Sequence, residues 1–167
     1  MSSGTPKTIV ISGSKNVGKT TLITKLVSRM AQQGMKVAVI KHDGHDFDCD
    51  MPGTDSYAYT HAGAYGAACF SDHRMFVQRV GTGEREEELI RFFPDADMIL
   101  LEGFKDNAAY PKIEVIRREI SDTLVSNPAG RFLIVSDMEP EEIRGRAGER
   151  VLPYEAVDEI IGRMLKA

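Results

Sequence analysis

Apolar positions recur along this chain at two spacings. Residues 8–12 form a short β-branched apolar run that reads as a buried strand, and residues 36–41 form a second. Between them Leu22, Ile23, Leu26, Val27, Met30 and Ala31 recur at helical spacing from Lys19 onward, and Gly34 stands where a helix C-terminal cap belongs. This strand–helix–strand opening favours a parallel sheet. Residues 97–101 are the strand that reads as most buried, and 112–117 and 132–136 read as further strands. Residues 64–70 and 74–80 predict a hairpin turning at 71–73. Helices are expected at 55–61 with Asp55 as cap, at 84–93 with an acidic start and Pro94 as stop, and at 139–146 and 154–165. The whole pattern predicts a three-layer α/β fold: a mostly parallel sheet flanked by helices, with an inserted β-hairpin. With no repeat, low-complexity tract or linker, residues 1–167 read as one domain, 1–7 being a flexible lead.

Composition narrows the function classes. The formal net charge of -4 argues against nucleic acid or a membrane surface held by bulk electrostatics. Cys49 and Cys69 are too few for a disulfide framework and form no CxxC pair, so they read as two reduced thiols. No apolar stretch is long enough to span a bilayer and the first residues lack a signal-peptide core, which makes the cytoplasm the expected location.

The chemistry begins between the first strand and the first helix. Gly13, Ser14, Lys15, Asn16, Val17, Gly18, Lys19 and Thr20 fit the phosphate-loop pattern G-x-x-x-x-G-K-[ST] at every fixed position, in the strand-to-helix context that pattern needs. Glycines let the backbone close around phosphates, and the loop N–H groups with the helix N-terminus supply fixed positive potential. Lys19 is expected on the β- and γ-phosphates and Thr20 on Mg²⁺, which identifies a P-loop NTPase fold. Mg²⁺ takes hard oxygen ligands. Residues 97–103 run apolar strand, acid, glycine, so Glu102 is the expected carboxylate, while Asp97 at the other end of that strand lies far from the site. The loop 42–50 (HDGHDFDCD) leaves the second strand where ligands bind in doubly wound folds. Asp43 is its best-placed residue for the metal or the attacking water, although a solvated polar loop explains the same residues.

Taken with the loop, the blocks Ile40-Lys41-His42-Asp43 with His45, Asp50-Met51-Pro52-Gly53 with Asp55-Ser56, Ala62-Gly63-Ala64, Leu101-Glu102-Gly103-Phe104-Lys105 and Pro111-Lys112 resemble the MobB family. These are the GTP-binding accessory proteins of molybdenum-cofactor guanine dinucleotide synthesis. The resemblance runs from Ile9 to Arg117. It implies GTP and Mg²⁺ as ligands, slow hydrolysis at most, a homodimer, and assistance to MobA, which joins GMP to molybdopterin. By matching positions, the loop residues through Thr21 would hold phosphates and Glu102 would serve the metal. Asp50 to Gly53 also spells Asp-x-x-Gly, but no apolar strand precedes it, so it is not read as a switch motif.

The usual Asn-Lys-x-Asp guanine reader is absent. Asp137, at the end of the 132–136 strand, can accept from the guanine N1 and N2 donors, or simply begins a turn. Lys15 is available to cover phosphate across a dimer interface. Lys105 and Lys112 either meet an anionic ligand such as molybdopterin phosphate or face solvent, and Arg79 is either functional or an edge-strand charge. Arg117 and Arg118 are adjacent, so as strand residues they point to opposite faces and form no evident clamp. Two other functions fit a phosphate loop: a small-molecule kinase or ligase, and a metallochaperone GTPase using His42 and His45.

Overall fold

The computed structural model describes residues 6–44, 47–81 and 86–167. They form two compact units, one of residues up to His42 and from Glu86 onward, the other of residues 43–85. The first unit is built on a six-stranded sheet with β1 (Lys7–Ser12), β2 (Val37–Lys41), β5 (Met98–Glu102), β6 (Lys112–Val115), β7 (Arg131–Val135) and β8 (Arg150–Leu152). Its order is β2-β5-β1-β6-β7-β8, and every pairing is parallel. Lys7, expected in the flexible lead, already opens β1.

Strand alternation splits the core between the two faces. Ile9, Ile11, Met98, Leu100, Ile113, Val115, Leu133 and Val135 pack with α1 (Lys19–Gln32) and α4 (Val157–Met164). Leu22, Leu26 and Met30 are the buried stripe of α1, and Gly34 at φ 82 ends it, its N–H donating to Ala31 O. On the other face Val10, Ala38, Ile40, Ile99 and Leu101 pack with Ile90 of α3 (Glu86–Ile90). Nearer β7, Ile116 and Ile134 pack with Met138 and Ile143. The result is the expected three-layer α/β sandwich with a fully parallel main sheet.

Some elements differ from expectation. The segment 139–146 is not a helix: only Pro140–Glu142 forms a 3-10 turn, closed by a capping box of Glu139 and Glu142. Ile143 is already extended (φ -90, ψ 112) and Gly145 turns left-handed at φ 84, so the turn does not continue as a helix. The short strand β8 follows where no strand was expected. The last helix starts at Val157 rather than 154, which leaves Tyr154 buried ahead of it. The expected start of the third helix at Glu84 lies outside the described residues.

Lys112 corrects a second expectation. It is fully buried, on the β6 face opposite α1, and reaches neither solvent nor an open surface. Its ammonium donates to Asn107 O at 2.6 Å, Asn127 O at 2.9 Å and Lys105 O at 3.2 Å, which uses all three protons. Burial lowers its pKa, with Glu114 opposing. Beside it Glu114 accepts from Val125 N and from both N and Oγ of Ser126, and pairs with Arg131 at 3.0 Å. Arg131 also holds Glu149 at 2.7 Å. Loop carbonyls and amides meet this part of the sheet, and the buried charges satisfy them.

In the second unit α2 (Asp55–His61) precedes the antiparallel pair β3 (Gly66–Phe70) and β4 (Met75–Arg79), which is the expected hairpin. The helix cap is Thr54, not Asp55: the Thr54 hydroxyl accepts from Tyr57 N. Asp50 Oδ1 accepts from Met51 N, Thr54 Oγ1 and Ser56 Oγ, so the Asp-x-x-Gly stretch is tied into the start of α2. Burial works against ionisation of Asp50, but these hydrogen bonds outweigh it and hold its carboxyl below the ordinary value. Among the described residues no helix is long and apolar enough to cross a membrane.

Replacing Lys112 by Met keeps the volume and strips three carbonyls of their donor. Chemical denaturation should show a loss of roughly 2–4 kcal/mol of stability. A loss below about 0.5 kcal/mol, the scale of a surface substitution, would contradict the buried three-carbonyl role.

Candidate functional site

The loop after β1 is shaped by close backbone approach. Gly13 sits at φ 134, and a Cβ there would stand 2.2 Å from Val115 O, so no other residue fits without moving β6. Asn16 adopts φ 66, the left-handed region that Asn tolerates better than most side chains. Gly18, at φ 92, is the N-cap of α1. That helix start has no side-chain cap and no acidic residue in its first turn, so its leading N–H groups and dipole face the loop. Behind the loop Tyr154 donates its hydroxyl to Val17 O at 2.6 Å. Burial raises the Tyr154 pKa, against the lowering effect of Arg117.

Lys19 and Thr20 occupy the first turn of α1. The Lys19 ammonium donates to Ser14 O at 2.7 Å and Gly13 O at 3.0 Å, so it lies across the loop's own carbonyls. Burial lowers its pKa, Glu102 opposes this, and Lys41 adds to it. Thr20 Oγ1 donates to Glu102 Oε1 at 2.9 Å. The register explains the meeting. β5 lies directly beside β1, pairing Ile11 with Glu102, and Met98, Leu100 and Glu102 share the face covered by α1. On the other side Lys41 pairs with Glu102 across β2 and β5. Gly103 at φ 100 then turns the chain away, with its N–H on Ile11 O. A hydroxyl and a carboxylate in this arrangement are hard oxygen donors, a set that fits Mg²⁺. Asp97 lies at the opposite end of β5, where its carboxylate accepts from Lys36 N.

A cleft of about 250 Å³ adjoins the loop. Thr21 and Lys25 of α1, Arg117, Ser136, Asp137 and Glu155 are among its lining residues. Asp137 is thereby placed beside the start of α1, as its strand-end position suggested. One of its oxygens accepts from Arg118 N at 2.9 Å. Arg117 was missed as a site residue. Its guanidinium carbon lies 5.0 Å from the centre of the Tyr154 ring, while Arg118 turns away to a bidentate pair with Glu142 at 2.6 Å. The two arginines do diverge, and only Arg117 reaches the site. The signal available in the sequence was its parity with Ile113 and Val115, which puts it on the α1 face.

The remaining expected residues fall outside the first unit, outside the described residues or on exposed positions. Asp43 is the first residue of the second unit, next in the chain to His42. His45 lies outside the described residues. His42 packs its ring 5.4 Å from Phe104. Among the described residues no group of three His, Cys, Asp or Glu side chains is placed to hold a metal ion. Lys15 and Lys105 are exposed. Lys105 takes part through its carbonyl, which accepts from Lys112 and from Asn127 N.

Comparison with known proteins agrees with the motifs. The family described as MobB, molybdopterin guanine dinucleotide synthesis protein B, matches residues 8–137. A molybdopterin-guanine dinucleotide biosynthesis adapter protein of Escherichia coli is 38% identical over 94 residues, 53% of this chain and 53% of the relative. The protein of the same name from Haemophilus influenzae is 31% identical over 119 residues, 68% of this chain and 65% of the relative. The chain thus spans between half and two thirds of these relatives' length. Among solved structures, Bacillus subtilis MobB superposes with a TM-score of 0.73 at 24% identity, covering 94% of this chain and 97% of that one. A hydrogenase maturation factor HypB from Archaeoglobus fulgidus shares the fold more distantly, at a TM-score of 0.52 and 12% identity, covering 97% of this chain and 89% of that one.

Gly13→Ala should misshape the loop, because both the left-handed φ and the Val115 carbonyl exclude a methyl. A thermal melt should fall by several degrees, corresponding to about 1–3 kcal/mol. An unchanged melting temperature would show that the loop does not press on β6.

Proposed function

Because the chain belongs to the MobB family, we propose that it is a GTP-binding accessory protein in molybdopterin guanine dinucleotide synthesis. In this reading it is a slow GTPase at most and assists a MobA-type guanylyltransferase in attaching GMP to molybdopterin. The observation that carries the reading is the Thr20–Glu102 hydrogen bond under a complete phosphate loop. It joins the Gly-Lys-Thr and Glu-Gly-Phe blocks, the two most chemically specific parts of the family resemblance, in one place.

The residues divide the work as follows. Gly13, Ser14, Lys15, Asn16, Val17 and Gly18 wrap the β- and γ-phosphates, with Thr20 and Thr21 completing the cradle from the first turn of α1. Lys19 exchanges the two loop carbonyls for phosphate oxygens. Thr20 and Glu102 would hold Mg²⁺, whose charge offsets that of the triphosphate. Asp43 is assigned to the metal or to the attacking water. Asp137, in the cleft beside Thr21, accepts from the base. Its carboxylate suits guanine, whose N1 and N2 both donate, better than adenine, whose N1 only accepts. Location in the cytoplasm follows from the substrates this role requires.

The second unit supports self-association. On one face of the hairpin Phe70 pairs with Met75 and Ala68 with Val77, and Phe70, Met75 and Val77 are 87%, 66% and 50% exposed. A two-stranded sheet with an apolar outer face gains by burying that face against a second copy. Placing Lys at Val77 should shift the protein toward monomer in sedimentation equilibrium. Persistence of an unchanged dimer would move the interface elsewhere, and a monomeric wild type would remove it.

Calorimetric titration with Mg²⁺ and either GTPγS or ATPγS tests the nucleotide reading. The guanine analogue is expected to bind at least tenfold more tightly. Lys19→Ala should lose binding while its circular dichroism and melting stay those of the wild type. Preference for ATPγS would overturn the guanine assignment, and full affinity in Lys19→Ala would overturn the site.

A further inference from the structure

Three chain segments end side by side at the carboxyl edge of the main sheet. The phosphate loop follows β1, Arg117 follows β6, and Asp137 follows β7, and the strand order is β1-β6-β7. Arg117 therefore stands between the loop and the base-side carboxylate. Contacts agree with the topology. A Cβ added to Gly18, the N-cap of α1, would lie 3.5 Å from a terminal nitrogen of Arg117. The same guanidinium lines the cleft with Thr21 and Asp137. Its position is fixed from behind by the Tyr154 ring at 5.0 Å, and Tyr154 is itself bonded to Val17 O. No carboxylate among the described residues forms an ion pair with Arg117, whereas its neighbour Arg118 is paired bidentately with Glu142. A guanidinium presents a planar fork of donors that matches phosphate oxygens.

We propose that Arg117 is a nucleotide-binding residue that contacts the α-phosphate, at the junction between the phosphate loop and the base cleft. This deepens the nucleotide reading above and rests on it. In a nucleoside triphosphate the α-phosphate lies between the β-phosphate and the ribose, and Arg117 lies between the residues assigned to those two ends. Tyr154 then has a positioning role. It holds the guanidinium with its ring and the loop with its hydroxyl, so base-side and phosphate-side contacts share one support.

The test compares wild type, Arg117→Met and Arg117→Lys by calorimetry with Mg²⁺ and three probes: GTPγS, GDP and inorganic pyrophosphate. Met keeps an unbranched stem on Tyr154 and removes the charge. Arg117→Met is expected to weaken GTPγS and GDP by tenfold or more and to change pyrophosphate, which needs only the loop, by less than twofold. Arg117→Lys should recover only part of the loss, since a point charge lacks the fork. Unchanged GTPγS affinity in Arg117→Met overturns the proposal. So does an equal loss for pyrophosphate, which would mean that Arg117 only shapes the loop through Tyr154. A wild type that binds pyrophosphate but no nucleotide overturns the nucleotide reading itself, and this residue's role with it.

Discussion

The meeting of Thr20 with Glu102 depends on one constraint: β5 must lie between β1 and β2 in parallel register. Sequence separation of 82 residues makes that contact expensive in chain entropy. It is held by burial. All five residues of β5 are buried, and so are five of the six in β1, so apolar alternation on both faces locks the register. A slip of one residue in β5 would carry Glu102 to the face opposite α1 and leave a carboxylate beside Val10, Ala38 and Ile40. The stability of the sheet and the geometry of the site are thus one requirement.

The same constraint explains why so much of the first unit was legible. Local periodicity in residues 8–41 marks β1, α1 and β2, and glycine at the phosphate loop follows from the close approach that Gly13 makes to Val115 O. Glu102 and Asp137 were readable because an acid at the end of an apolar run must emerge at the carboxyl edge of a parallel sheet. What failed lacked a periodic signal. β8 has three residues, of which only Leu152 is buried. Residues 139–146 have helix-forming side chains, but the extended Ile143 and the left-handed Gly145 decide the backbone. Arg117 is not legible from its adjacency to Arg118, which argues only against a clamp; its support, Tyr154, lies far along the chain and just ahead of α4.

Lys112 is the most instructive misreading. A lysine in a strand reads as exposed, since burying an unpaired ammonium costs several kcal/mol. Here the loops that cover β6 point three carbonyls inward, and carbonyls need donors as much as the ammonium needs acceptors. Each side of that bargain is hidden in sequence, because the carbonyls belong to Lys105, Asn107 and Asn127 irrespective of their side chains. The Pro-Lys block that looked like ligand chemistry secures the 103–111 loop that leaves Glu102. It acts on the candidate site only through the path of the chain.

Charge distribution reconciles an acidic protein with an anionic ligand. The net charge is -4, yet a phosphate responds to the field within a Debye length, about 8–10 Å, and not to the sum over the chain. Lys19 and Arg117 meet the phosphate loop, Lys41 interacts electrostatically with Lys19, and Lys25 lines the adjoining cleft. Of the acids close by, Glu102 is turned to the Thr20 hydroxyl, while Glu119, Asp137 and Glu155 line the adjoining cleft. Cations thus gather at the loop, where the proposed nucleotide would carry its phosphates, while the carboxylates fall at the proposed metal position and in the adjoining cleft. The proposed metal-bound purine triphosphate, anionic at one end and donating at the other, would meet cations at the loop and carboxylates beyond it.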